Sequence, residues 1–259
     1  MKPKFAALLL ALLAAITVPA QAEDVPAIAA ASDLQFALPE VAAAFKAKTG
    51  REVRLSFGSS GNLFRQIRQG APFQMFLSAD EAFVQRLADA GRTADEGTLY
   101  AVGRIVLIVP HGSPLAADGT LNDLAAALKD GRLKKFAIAN PEHAPYGRAA
   151  EQALRVAGLW DKIESRLVYG ENVSQAAQFA LSGNTEGGIV AYSLALSPEV
   201  SARGTYALIP ETAHQPLRQR MVLLDRRNET ARIFHAFMQE EEARAIMRRY
   251  GFVLPGETM

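Results

Sequence analysis

Ser32 and Ser60 are the residues of this chain best placed to do chemistry, because each follows a strand-like run and precedes a helix-like one. The first setting reads Pro26-Ala27-Ile28-Ala29-Ala30-Ala31-Ser32-Asp33-Leu34. The second reads Val53-Arg54-Leu55-Ser56-Phe57-Gly58-Ser59-Ser60-Gly61-Asn62-Leu63, with small residues where the backbone must turn. A helix N-terminus carries unpaired N–H groups and a partial positive charge, so two such starts offering hydroxyls can cradle a small oxyanion. Ordinary helix capping by serine accounts for the same pattern. Asp33 has two readings as well. Its carboxylate could accept a proton from a phosphate, or it could be a first-turn acid favoured by its own helix terminus.

Other reactive types are poorly arranged. Gly58-Ser59-Ser60-Gly61 lacks the G-x-S-x-G spacing of a nucleophile elbow, and His111, His143, His214 and His235 fall in no recognisable base motif. No HExxH or EF-hand loop is present, and the absence of cysteine removes thiolate nucleophiles, thiolate metal sites and disulfides together. The run Glu240-Glu241-Glu242 reads as a solvated helix face. An enzyme is therefore not expected, a serine hydrolase being the minor alternative, and no metal is expected to bind protein side chains directly.

The elements that must position these residues alternate between strand and helix, which implies α/β architecture with mostly parallel sheets. Strands are expected in the run from Pro26 that ends at Ser32 and at 52–57, 73–78, 104–109, 136–139, 167–169, 187–192 and 218–224. Helices are expected from after Ser32 to Lys48, with Pro39 forcing a kink or a late start, and over 62–69, 81–90, 121–128, 147–157, 173–182 and 228–249. In such sheets ligands sit at the carboxyl ends of strands, beside helix N-termini. Junctions at Ser32, Ser60, Tyr146 and Val173 fit that position, and two lobes facing each other across a cleft would bring all four together.

Residues 1–22 read as a secretory signal peptide. Lys2 and Lys4 form the basic region, Phe5 to Val18 the apolar stretch and Ala20-Gln21-Ala22 the cleavage site. Export is thus expected. Without Lys2 and Lys4 the formal charge moves from +1 to −1, and the absence of a basic run argues against a nucleic-acid partner. Any bound anion must be held by neutral donors.

In order along the chain, the segments Ala29-Ala30-Ala31-Ser32-Asp33-Leu34, Gly58-Ser59-Ser60-Gly61-Asn62-Leu63, Gly70 to Asp80, Asn140-Pro141-Glu142-His143-Ala144-Pro145-Tyr146-Gly147, Gly188-Ile189-Val190-Ala191-Tyr192 and Tyr250-Gly251-Phe252-Val253-Leu254 resemble those of the periplasmic molybdate-binding proteins of ABC transporters. The likeness spans the chain beyond residue 22. It implies a two-lobed, type II periplasmic binding-protein fold, with lobe 1 at 23–103 plus 211–259 and lobe 2 at 104–210. It further implies a monomer in the periplasm that carries molybdate or tungstate, without a cofactor, to membrane permease subunits. By position, Ser32 and Ser60 would give hydroxyl and N–H donors, Asp33 its backbone N–H, and Tyr146 and Val173 main-chain N–H groups. Some relatives donate a tyrosine hydroxyl near Tyr192, but here that residue falls one place later, a shift that turns a strand side chain to the opposite face. Sulfate or phosphate is the alternative ligand.

Overall fold

A computed structural model describes residues 25–257. The expected signal peptide lies outside the described residues. The strands are β1 (Ala27–Ala31), β2 (Arg54–Gly58), β3 (Met75–Ser78), β4 (Thr98–Gly103), β5 (Ile105–Pro110), β6 (Phe136–Ala139), β7 (Leu167–Gly170), β8 (Gly188–Ala191), β9 (Gly204–Leu208) and β10 (Leu217–Leu223). The helices are α1 (Ala37–Thr49), α2 (Ser60–Arg68), α3 (Glu81–Asp89), α4 (Asn122–Asp130), α5 (Pro145–Val156), α6 (Trp160–Ile163), α7 (Val173–Ala180), α8 (Tyr192–Ala195), α9 (Pro198–Ser201), α10 (Glu229–Phe237) and α11 (Glu241–Arg249).

The strands form two five-stranded sheets, ordered β2-β1-β3-β10-β4 and β7-β6-β8-β5-β9. In each, three parallel strands are followed by one that runs against them and pairs antiparallel on both sides, β10 in the first sheet and β5 in the second. The inner strand β1 is an unbroken apolar run, buried throughout, as a strand covered on both faces must be. The chain passes from the first sheet to the second through Arg104 alone and returns within 209–216. An ion pair of 3.2 Å between Arg104 and Glu211 ties the two passages together.

One face of the first sheet packs Ile28, Met75 and Leu77 against α1, α10 and α11, where Phe45 meets Phe234 edge-on at 5.1 Å. The other face packs Ala29, Phe76 and Val222 against α2 and α3. The second sheet builds its core on β5, β6 and β8, covered by α4, α5 and α7. With both faces filled, the carboxyl ends of the parallel strands remain as the place where side chains can meet a ligand.

Several elements differ from expectation. The helix expected over 228–249 is two helices, because the backbone leaves the helical region at Glu240 and restarts as α11 with Glu241 and Glu242 in its first turn, where acids favour the helix dipole. Strands β4 and β9 were not anticipated. A single turn of 3₁₀ helix over Ser32–Leu34 precedes α1, which starts late enough to hold Pro39 in its first turn, where a missing N–H removes no helical bond.

Candidate functional site

Four strand-to-helix junctions, two from each sheet, converge on one small pocket lined by Ser32, Asp33, Ser60, Tyr146 and Val173 together with Gly58, Ser59 and small apolar residues. Ser32 follows β1 directly and is 3% exposed, and its hydroxyl has no hydrogen-bond partner among the described residues. Ser60 opens α2 and is 1% exposed. Its Oγ accepts the Ala79 N–H at 2.9 Å, which leaves its own proton free to donate.

The other two junctions expose main-chain donors for different reasons. Pro145 occupies the first position of α5 and has no N–H, so the Tyr146 amide is that helix's first donor. At α7 the Asn172 Oδ1 accepts the N–H groups of Ser174 and Gln175, at 3.0 and 3.1 Å. That cap satisfies the second and third amides of the helix and leaves the first, on Val173, without an intrahelical acceptor. No Lys or Arg lines the pocket among the described residues. Arg148 borders a neighbouring hollow and is engaged by Asp80.

The Asp33 carboxylate is 1% exposed and lies in the first turn of its own short helix, as one of its two readings has it, but it also makes two contacts that were not expected. Its Oδ2 accepts from the Tyr146 hydroxyl at 2.9 Å and from Gln219 Nε2 at 2.6 Å, while Oδ1 is buried without a partner. Burial pushes its pKa up to about 6, against the lowering effect of those two hydrogen bonds and of its own backbone. The carboxylate therefore meets a group that comes from the second lobe.

Tyr192 is not brought to the pocket. Its strand ends at Ala191, Tyr192 begins α8, and the ring packs 5.8 Å from Tyr206 and against Gly251, with the Arg104 guanidinium 5.7 Å away. The next residue reaches the site instead, since the Ser193 hydroxyl donates to the Asp33 carbonyl at 2.8 Å. Ser59, at the cap position of α2, leaves its helix uncapped and pairs with His143 Nδ1 at 2.9 Å across the lobes. Sequence reasoning missed Ser193, Gln219, Tyr100 and the Ser59–His143 contact, none of which carries a local signal.

Two α/β lobes with neutral donors converging from helix starts define a solute-binding protein of the periplasmic type. The chain belongs to the bacterial extracellular solute-binding proteins, whose family pattern it matches over residues 27–253. It is 38% identical over 247 residues, 94% of each chain, to the molybdate-binding protein ModA of Rhodobacter capsulatus. The solved Azotobacter vinelandii periplasmic molybdate-binding protein is 31% identical and matches with a TM-score of 0.78, covering 89% of this chain and 99% of that one. The sulfate-binding protein SubI of Mycobacterium tuberculosis shares the fold, with a TM-score of 0.72 at 17% identity.

Proposed function

We propose that this protein captures molybdate, and tungstate as well, in the periplasm after removal of residues 1–22, and presents it as a monomer to the permease of an ABC transporter. The ligand is held as the intact oxyanion. Ser32 and Ser60 supply hydroxyls, and Ser32, Asp33, Ser60, Tyr146 and Val173 supply backbone N–H groups. Residues 23–103 with 211–259 form one lobe and 104–210 the other, hinged where the chain passes between them. The protein has no catalytic role in this reading.

The observation that carries the reading is the donor set of the pocket: a free serine hydroxyl, a second one with its proton unspent, and helix-start amides, with no cation among the lining residues. Molybdate, tungstate and sulfate are fully deprotonated dianions near neutral pH and require donors only. Charge-assisted bonds to such groups are short and strong. Sulfate is smaller, so a cage sized for molybdate leaves buried donors unsatisfied around it, at about 1–3 kcal/mol for each.

Calorimetric titration of molybdate, tungstate, sulfate and phosphate into the chain lacking residues 1–22 tests this. Sub-micromolar binding of the first two and feeble binding of sulfate are expected. Ser60→Ala should weaken molybdate by roughly 10- to 100-fold, the effect of losing one hydrogen bond to a charged group. Phosphate binding as tightly as molybdate would overturn the reading.

A further inference from the structure

Tyr146 meets the cleft twice. Its main chain starts α5 beside the pocket, while its phenol leaves that helix and enters the first lobe. There the hydroxyl donates to Asp33 Oδ2, and Gln219 Nε2 bonds the same carboxylate oxygen and lies 3.1 Å from the phenol oxygen. The Gln219 carbonyl accepts from the Tyr100 hydroxyl at 2.6 Å. Asp33, Gln219 and Tyr100 all belong to the first sheet and its edge; the phenol is the group from the other side.

Two backbone features serve this contact. The pairing of β10 with β4 shifts register between Gln219 and Arg220, a bulge of the kind that re-aims a side chain. Gly103, at the end of β4, leaves the phenol its space, since a Cβ there would lie 2.1 Å from the Tyr146 oxygen and 2.8 Å from Gln219 Nε2. The cluster is fully internal, with Gln219 at 0% and Tyr146 at 3% exposed. Burial and the adjacent Asp33 carboxylate push both phenols well above their ordinary pKa, so both remain donors.

We propose that the Tyr146 phenol, the Asp33 carboxyl and the Gln219 amide form a latch that holds the lobes closed and sets how slowly the bound oxyanion leaves. The proposal rests on the reading of the cleft as the ligand site, but the latch acts on closure itself. Opening the lobes separates the phenol from both Asp33 and Gln219 and leaves the Gln219–Asp33 and Tyr100–Gln219 bonds within the first lobe. A group that only supported the first lobe would come from that lobe; Tyr146 does not. Tyr146 and Gln219 are thus positioning residues, acting through the lobe arrangement.

Tyr146→Phe keeps the ring and the amide while deleting the phenol's bond. Molybdate dissociation, followed by stopped flow, should quicken by roughly 10- to 100-fold, with a much smaller change in association rate. Gly103→Ala, which crowds the phenol out of its seat, should do the same. The chain has no cysteine, so spin labels on Asp89→Cys and Asp161→Cys report the interlobe distance in the ligand-free protein. Tyr146→Phe should shift that distribution toward longer distances. An unchanged distribution overturns the latch whether or not molybdate binds, and an unchanged dissociation rate with binding intact does so too. Failure of the wild-type protein to bind molybdate, with the distance shift present, would retain the latch and reject the proposed ligand.

Discussion

Among the residues of the cleft, Asp33 is the one whose charge state matters most. Its carboxyl sits at about 6, raised from 3.8 by burial, with Tyr146, Tyr100, Gln219 and Ser193 around it and no cation in contact. A carboxyl raised in the folded state contributes its full share of stability below the unfolded value, near pH 4. That share is lost as pH rises through the folded value near 6. The difference corresponds to about 3 kcal/mol at neutral pH. Asp33→Asn keeps an acceptor for Tyr146 and Gln219 and removes the charge. The variant should melt above the wild type at about pH 8, by several degrees, with the gap closing toward about pH 4. Glu81, Asp118 and Asp123, whose pKa values are lowered, lose stability in the opposite direction as pH falls. They are common to both proteins, so the difference between the two melting curves isolates Asp33. A gap that stays constant across that range would refute the assignment.

At the scale of elements, the start of α2 is where closure is most tightly specified. The Gly61 N–H donates to the His143 carbonyl at 2.9 Å across the lobes. A Cβ on Gly61 would come within 2.5 Å of that same oxygen. Alanine suits a helix better than glycine, so Gly61→Ala should leave the ligand-free protein as stable as before or more stable by up to ~1 kcal/mol. The closed form should nonetheless be obstructed and molybdate affinity lowered at least ~10-fold; calorimetry and thermal melting of one preparation check both halves. Such junctions were legible in the sequence because their grammar is local: an apolar run, a small or hydroxylated residue, then a helix pattern. The long C-terminal helix was misread because nothing in its composition marks the break before Glu241. Strands β4 and β9 were missed because each is an edge strand paired antiparallel, without the fully apolar stretch of a central strand. The latch lay beyond sequence reading for another reason. Tyr146 and Gln219 stand 113 and 186 residues from Asp33, and only the folded topology joins them.

For the whole molecule, the central consequence is that a doubly charged guest would be held by a nearly neutral host. The formal charge of residues 23–259 is −1, and the donors the pocket offers are hydroxyls and amides, its one carboxyl, Asp33, being turned to Tyr146 and Gln219. Arg148, the cation bordering the adjacent hollow, is already paired with Asp80. Salt therefore has little to screen. Going from ~20 to ~200 mM NaCl shortens the Debye length from about 20 to about 7 Å, which weakens attraction between exposed charges and leaves buried hydrogen bonds nearly untouched. At a thousandfold excess over its dissociation constant, a ligand bound only by the folded state adds about 4 kcal/mol, or ~8–16 °C in a domain of this size. Molybdate should produce a rise of that order at both salt concentrations, with the two values agreeing within about 2 °C. A shift that collapses at the higher concentration would mean that an exposed cation carries the binding, and the neutral cage formed where the two sheets meet would then lose its part in selecting the ligand.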